Sequence, residues 1–186
     1  MKKCTDTDNF QRWPFIAEEP RADGERNNGG IDLIANPEQI DAIHEATDEN
    51  GLRLLIQQLN GSNSPFMTLG CASGQDGEHY HSYLEFTFRD PELARLQQVN
   101  VSLEDKWGEW LAERLKNHPE WFAAIKSNVV WEYREFSLRN APTQYLVTVY
   151  PRARDAADHG QLTTWINDFF KNISTGEIKL VEKAEI

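Results

Sequence analysis

Apolar residues recur along this chain at two different periods, and the switches between them mark out its elements. From His79 to Arg89, Tyr80, Ser82, Leu84, Phe86 and Phe88 share one face of a strand. His79, His81, Tyr83, Glu85, Thr87 and Arg89 share the other. Phe66 to Ser73 alternates in the same way, and Gly74-Gln75-Asp76-Gly77 joins the two runs, so a β-hairpin is expected. With that loop Cys71 faces Tyr80, Leu69 faces Ser82 and Met67 faces Leu84. A one-residue slip would mix the faces.

Helical spacing is clearest at Leu162, Trp165, Ile166, Phe169, Phe170 and Ile173. A second stripe, Leu103, Trp107, Trp110, Leu111 and Leu115, follows Ser102 and Asp105, which read as a capping-box-like start. His118-Pro119 ends that helix and opens a shorter one through Trp121, Phe122 and Ile125. Upstream, a strand Ile31 to Ala35 leads to Asn36 as N-cap, Pro37 at the first helical position and Glu38 at the positive end of the dipole. This helix presents Ile40, Ile43 and Ala46/Thr47 on one side and stops at Asn50-Gly51.

Leu52 to Leu59 fits either period. A strand is preferred, because Gly51 ends a helix and the next two segments are strands. Val129 to Arg139 shifts its apolar face from Trp131/Tyr133 to Phe136/Leu138, which predicts a bulge near Arg134-Glu135. Gln144 to Tyr150 is apolar on both faces, as a central strand would be. An edge strand, Glu177 to Val181, is expected after Gly176. The order β-α-β-β-β-α-α-β-β-α implies an α+β fold: a mainly antiparallel sheet of about five to six strands with helices packed on one face. Residues 1–30 read as an extended or partly disordered N-terminal arm, pinned by Phe10, Trp13, Phe15 and Ile16. Residues 31–186 read as a single α+β domain.

Composition adds one unusual feature. The 186 residues include 39% hydrophobic and 26% charged side chains, ordinary for a globular domain, but the net charge is −11. Residues 1–50 hold 12 acidic and 5 basic side chains, a net of −7, so the charge is concentrated early. Such a field repels phosphates and attracts cations, so no nucleic-acid partner is expected. No apolar run is long enough to span a bilayer, so no membrane partner is expected either. No apolar leader region precedes Cys4, and Cys4 and Cys71 form no disulfide or metal spacing, so a cytoplasmic setting is expected. The Asn-x-Ser triplets at Asn60, Asn100 and Asn172 are then chance matches.

Candidate chemistry falls in several places along the chain. His79 and His81 sit at i and i+2 on one strand face with Glu85, a seed for a zinc or iron site that lacks an evident third ligand. Gly70-Cys71-Ala72-Ser73-Gly74 has the residues of a nucleophile loop but not their order, and the hairpin register turns Cys71 to the core, as a small buried thiol. His44, His118 and His159, the last placed in a loop, show no partner in sequence. Glu38, Asp41, Glu45, Asp48 and Glu49 run along one short helix and its cap without an intervening cation. Trp107 and Trp110 cannot both point along one narrow stripe, so Trp110 is the candidate surface anchor.

These features point to a non-enzymatic binding protein with no cofactor. It would engage a basic protein partner, as an immunity or inhibitor protein neutralising a toxin does, through Glu38, Asp41, Glu45, Asp48, Glu49 and Trp110. The alternatives are a metal-binding domain or small metal-dependent enzyme using His79 and His81, and a structural subunit of a larger complex.

Overall fold

The computed structural model describes residues 1–5, 11–15 and 30–173. Phe10, Ile16 and the expected edge strand at 177–181 lie outside them. The fold is α+β, built on a mixed sheet of six strands. The four long strands are β3 (Phe66–Asp76), β4 (His79–Phe88), β5 (Val129–Leu138) and β6 (Gln144–Ala153), paired antiparallel with one another. The sheet is nevertheless mixed and not mainly antiparallel as expected. Short strands β1 (Lys2–Lys3) and β2 (Arg12–Trp13) add parallel to the outer edge of β5. The order across the sheet is β1-β5-β6-β4-β3, with β2 also on β5.

The expected strand at 52–59 is a helix, α1 (Leu52–Asn60). Leu52, Leu55, Ile56 and Leu59 are all fully buried, which only the helical period achieves. Burying each stabilises the fold by roughly 1.5–3 kcal/mol, far more than the local preference at stake. Gly51, with φ of 73°, stands at the start of this helix rather than at the end of the preceding one. The preceding segment is itself less regular than expected. Ile31–Ala35 is a turn in which the Asp32 carboxylate accepts from the Ile34 and Ala35 N–H groups. Pro37–Ala42 is a 3-10 helix, and Asn36 makes no side-chain cap.

Two further helices depart from expectation at their starts. A short helix, α2 (Pro91–Arg95), is capped by Asp90, and α3 (Gln97–Arg114) begins five residues before Ser102. Asn100 makes this junction possible, donating to the carbonyls of Leu93, Ala94 and Leu96 that the turn leaves open. Ser102 lies inside the helix, bonded to Val99, so the Ser102/Asp105 pair caps nothing. The chain continues through α4 (Pro119–Ser127) and ends its described part in α5 (Ala156–Asn172), capped by Asp155.

Two apolar clusters lie on opposite faces of the sheet. The larger joins residues of α1, α3 and α5 to Leu84, Phe86, Trp131, Val147 and Val149. The smaller holds Trp13, Met67, Leu69, Phe136 and Leu146. This second cluster explains two departures in register. β5 pairs with β6 without interruption, so there is no bulge at Arg134-Glu135. Phe136 and Leu138 are apolar because their own face is covered by Trp13 at that end. The bulge lies instead in β3, between Thr68 and Gly70, and Cys71 pairs with Leu84 rather than Tyr80. It sends Met67 and Leu69 to the Trp13 side while Cys71 packs against the larger core. The hairpin turn is only Gly77-Glu78, two residues shorter than expected. β6 also runs on through Pro151 to Ala153.

Trp13 is fixed by its indole N–H donating to the Leu69 carbonyl at 2.9 Å and by Arg139 lying 5.2 Å above its ring. β3 forms an outer strand of the described sheet. Its exposed ladder groups are partly closed by side chains, since Asn60 accepts from the Thr68 N–H and donates to its hydroxyl.

Candidate functional site

The face of the sheet opposite the larger core is sealed at one end by Trp13 and open at the other. The open end is a groove of about 550 Å³. The β-ladder sets its walls in rows. Gly74 pairs with His81, and His81 with Arg152. In the next row Ala72 pairs with Tyr83 and Tyr150 with Val130, and the two tyrosine rings lie 6.4 Å apart. The row beyond brings Gly70, Glu85, Thr148 and Glu132 together. Val130 is 51% exposed at the groove margin. Burial pushes the Tyr83 phenol up to about 12, with Glu85, Cys71 and Glu45 adding to it. Burial and Glu132 push Tyr150 up to about 12 as well. Both phenols therefore stay protonated and can donate.

Between the open and sealed halves lies an ion pair. Glu85 and Arg134 are both buried, with the guanidinium 2.5 Å from the carboxylate. Burial raises the Glu85 carboxyl above its ordinary value, and Arg134 opposes that rise.

On the other side of the hairpin a second polar group is closed to solvent. The Asn50 side chain donates to the Glu45 carbonyl at 2.8 Å, to Ser73 Oγ at 3.1 Å and to Tyr80 Oη at 3.0 Å. Its Oδ1 accepts from the N–H groups of Thr47 and Leu52. The Asn50 carbonyl in turn accepts from His159 Nδ1 at 2.8 Å and from the Thr163 hydroxyl. A carbonyl can only accept, so His159 carries its proton on Nδ1. Its Nε2 then accepts from Ser82 Oγ at 2.7 Å. His159 lies in α5, not in a loop, and burial holds its imidazole below the ordinary value, with the Asn50 carbonyl opposing and His81 adding.

Ser82 and His159 thus form a serine–histidine pair that sequence reading missed, being 77 residues apart. The only prior signal was a polar Ser82 on an otherwise apolar face. The pair is not arranged for acyl transfer. His159 is wholly buried, Ser82 nearly so, and the place of a triad carboxylate is taken by a carbonyl. Cys71 is also unsuited to attack, since burial pushes its thiol up to about 12, with Glu45 and Glu85 adding.

The structure separates the other candidates. His79 and His81 are neighbours, with ring centroids 6.0 Å apart, and His81 faces the groove. Among the described residues no group of three His, Cys, Asp or Glu side chains could hold a metal ion. Glu38, Asp41, Glu45, Asp48 and Glu49 are all exposed along the 3-10 helix and the turn after it. They are not wholly without cations, because Arg53 of α1 reaches Asp41 at 2.6 Å and Asp48 at 3.9 Å. Trp110 is half-buried, stacked on Trp107 at 5.6 Å and covered by Arg114 at 5.1 Å. Trp121 is the more exposed indole, at 58%. No helix among the described residues is long and apolar enough to cross a membrane. Compared with family models, with curated proteins and with solved structures, the chain matches none.

The acidic turn is held tightly against α5. A Cβ at Gly160 would come within 2.3 Å of the Glu49 carbonyl. Gly160→Ala should therefore destabilise the protein by about 1–3 kcal/mol, the usual cost of overpacking. At an open helical site the same change stabilises by up to about 1 kcal/mol, so a rise in urea midpoint would contradict this packing.

Proposed function

We propose that the chain is a binding protein, not a catalyst, and that its acidic turn engages a basic protein surface. The observation that carries this reading is the Asn50 clamp. Turns bearing several like charges are usually solvated and loosely held. Here the segment with Glu45, Asp48 and Glu49 is tied through one buried residue, Asn50, whose side chain bonds Glu45, β3 and β4 and whose backbone carbonyl accepts from α5. A charged surface fixed before binding loses less conformational freedom on association and keeps its field oriented. An inhibitor or immunity protein that neutralises a cationic toxin is the kind of function such a surface serves. The burial of Ser82 and His159 and the protonated Cys71 thiol support the non-catalytic part.

Titrating isotope-labelled protein with a lysine-rich peptide, followed by amide chemical shifts, tests this. Shifts should concentrate at residues 38–49, and affinity should fall at least about tenfold between roughly 50 and 300 mM salt. The triple variant Glu38→Lys/Glu45→Lys/Glu49→Lys, which spares the carboxylates paired with Arg53, should bind about tenfold more weakly or worse. Salt-insensitive binding, or a triple variant that binds as tightly as the parent, would sink the proposal.

A further inference from the structure

The groove on the open half of the sheet carries an arginine at one end. At its hairpin end, register places Arg152 beside His81. Among the described residues Arg53, Arg95, Arg134, Arg139 and Arg154 each pair with a carboxylate, but the Arg152 guanidinium has no partner. Arg89 and Arg114 also lack a carboxylate, but Arg89 is held by backbone carbonyls and Arg114 lies over Trp110, whereas the Arg152 side chain is left open in a protein of net charge −11. Asp76, the carboxylate among the groove-lining residues, is placed by register opposite His79, one row nearer the turn.

Next to the Arg152–His81 row the groove is apolar and flat. Ala72 and Gly74 on β3 leave a shallow trough, and a Cβ at Gly74 would meet nothing within 4 Å. Tyr83, Tyr150 and Val130 bound it on the β6 and β5 side. Small-ligand sites are typically clefts of about 300–1,000 Å³, largely apolar with a few placed polar groups, and this groove falls in that range. We propose that the groove binds a small organic carboxylate with a flat apolar body, its carboxylate on Arg152 and His81 and its body along Ala72 and Gly74 beside Tyr83 and Tyr150. The guanidinium fork matches a carboxylate in two parallel hydrogen bonds, and the phenol hydroxyls supply further donors. This site is independent of the acidic turn and stands whether or not that turn meets a basic partner.

The test uses 2-naphthoate as probe and its neutral amide, naphthalene-2-carboxamide, as a control of the same shape. Amide shifts of the full chain should move at residues 72–74, 81–83 and 150–152, with a Kd of about 1 mM or tighter for the acid. The amide should bind about tenfold more weakly. Arg152→Gln should abolish the preference for the acid while leaving amide binding unchanged. Gly74→Leu places a side chain in the trough, where its Cβ meets nothing within 4 Å, and should weaken both ligands at least about tenfold. An unaltered thermal midpoint in each variant shows that the fold is intact. Equal affinity for acid and amide, shifts mapping elsewhere, no saturation up to about 10 mM, or an Arg152→Gln protein that keeps its preference would each overturn the proposal.

Discussion

Replacing Arg134 with leucine is expected to cost about 3–5 kcal/mol of stability at neutral pH, because it leaves the Glu85 carboxylate charged in a buried site. The two groups lie 2.5 Å apart near the middle of the sheet, each almost closed to solvent. The loss should depend on pH in a definite direction. Burial already raises Glu85 above the ordinary carboxylate value, so the folded state holds its proton more tightly than the unfolded chain does. Its contribution is fully present below the unfolded pKa, about 4.5, and is lost as pH rises through the folded value. Without Arg134 to oppose burial, the folded value climbs further and the penalty at neutral pH grows. Urea unfolding at pH 4.5 and pH 7.5 should therefore show a clearly smaller loss at the lower pH. The double variant Glu85→Leu/Arg134→Leu should lie within about 1 kcal/mol of the parent, or above it, since apolar residues often replace a buried pair without loss. An equal loss at both pH values would rule out Glu85 ionisation as the cause. A double variant as unstable as the single one would show that packing, not charge, is what Arg134 provides.

That pair also explains why the sheet face is divided. Trp13 and Leu146 cover one side of it, whereas Tyr83 and Tyr150 stand open on the other. Strand faces that meet water normally alternate to polar residues. The open half here keeps Val130, Ala72 and two phenols, and that composition is why it is assigned a ligand and not solvent alone.

The sequence showed the hairpin, the central position of β6 and the course of α5, because their periods are long and unbroken. It failed where tertiary contact overrode a local signal. At Leu52 to Leu59 both periods fitted, and neighbouring elements misled the choice. Only the contact between α1 and α5 makes the helix compulsory. The apparent bulge in β5 was a true change of buried face, but its cause is Trp13, more than a hundred residues away in sequence. The hairpin register was displaced because the strands run on through Gly74, Gln75 and Asp76 to a two-residue turn, where the glycines suggested a longer loop, and the bulge at Leu69 then shifts the far end by one residue. The Ser82–His159 pair and the groove were invisible for the same reason: each is assembled from elements distant in sequence, the pair from β4 and α5 and the groove across strands. Two residues the sequence did bring to notice, His81 and Glu85, lie on the groove face.

Asn50 is the residue whose loss should propagate furthest. Asn50→Leu keeps roughly the same volume and removes one amide that bonds Thr47, Leu52, Glu45, Ser73 and Tyr80. A buried group deprived of its partner costs about 1–3 kcal/mol, and several are stranded here at once. A loss of about 3–5 kcal/mol is expected, measured by chemical denaturation. Asn50→Asp separates hydrogen bonding from volume. It keeps the acceptor for Thr47 and Leu52 but cannot donate to Glu45, Ser73 or Tyr80 when ionised. It also adds a charge beside Glu45 and Glu49, so its deficit should shrink as the carboxyl is protonated below about pH 4. Amide hydrogen exchange gives the local readout. Protection at Thr47 and Leu52 should fall in Asn50→Leu and persist in Asn50→Asp, while β5 and β6 change only by the global loss of stability. Should protection at Thr47 survive the leucine substitution, the turn is fixed by its packing on Gly160 instead, and Asn50 has no special part in presenting the acidic residues. If both follow the expected course, the residue whose backbone carbonyl orients His159 also holds Glu45, Asp48 and Glu49 in place through its side chain, and weaker binding of cationic probes by Asn50→Leu than by Asn50→Asp is the functional consequence.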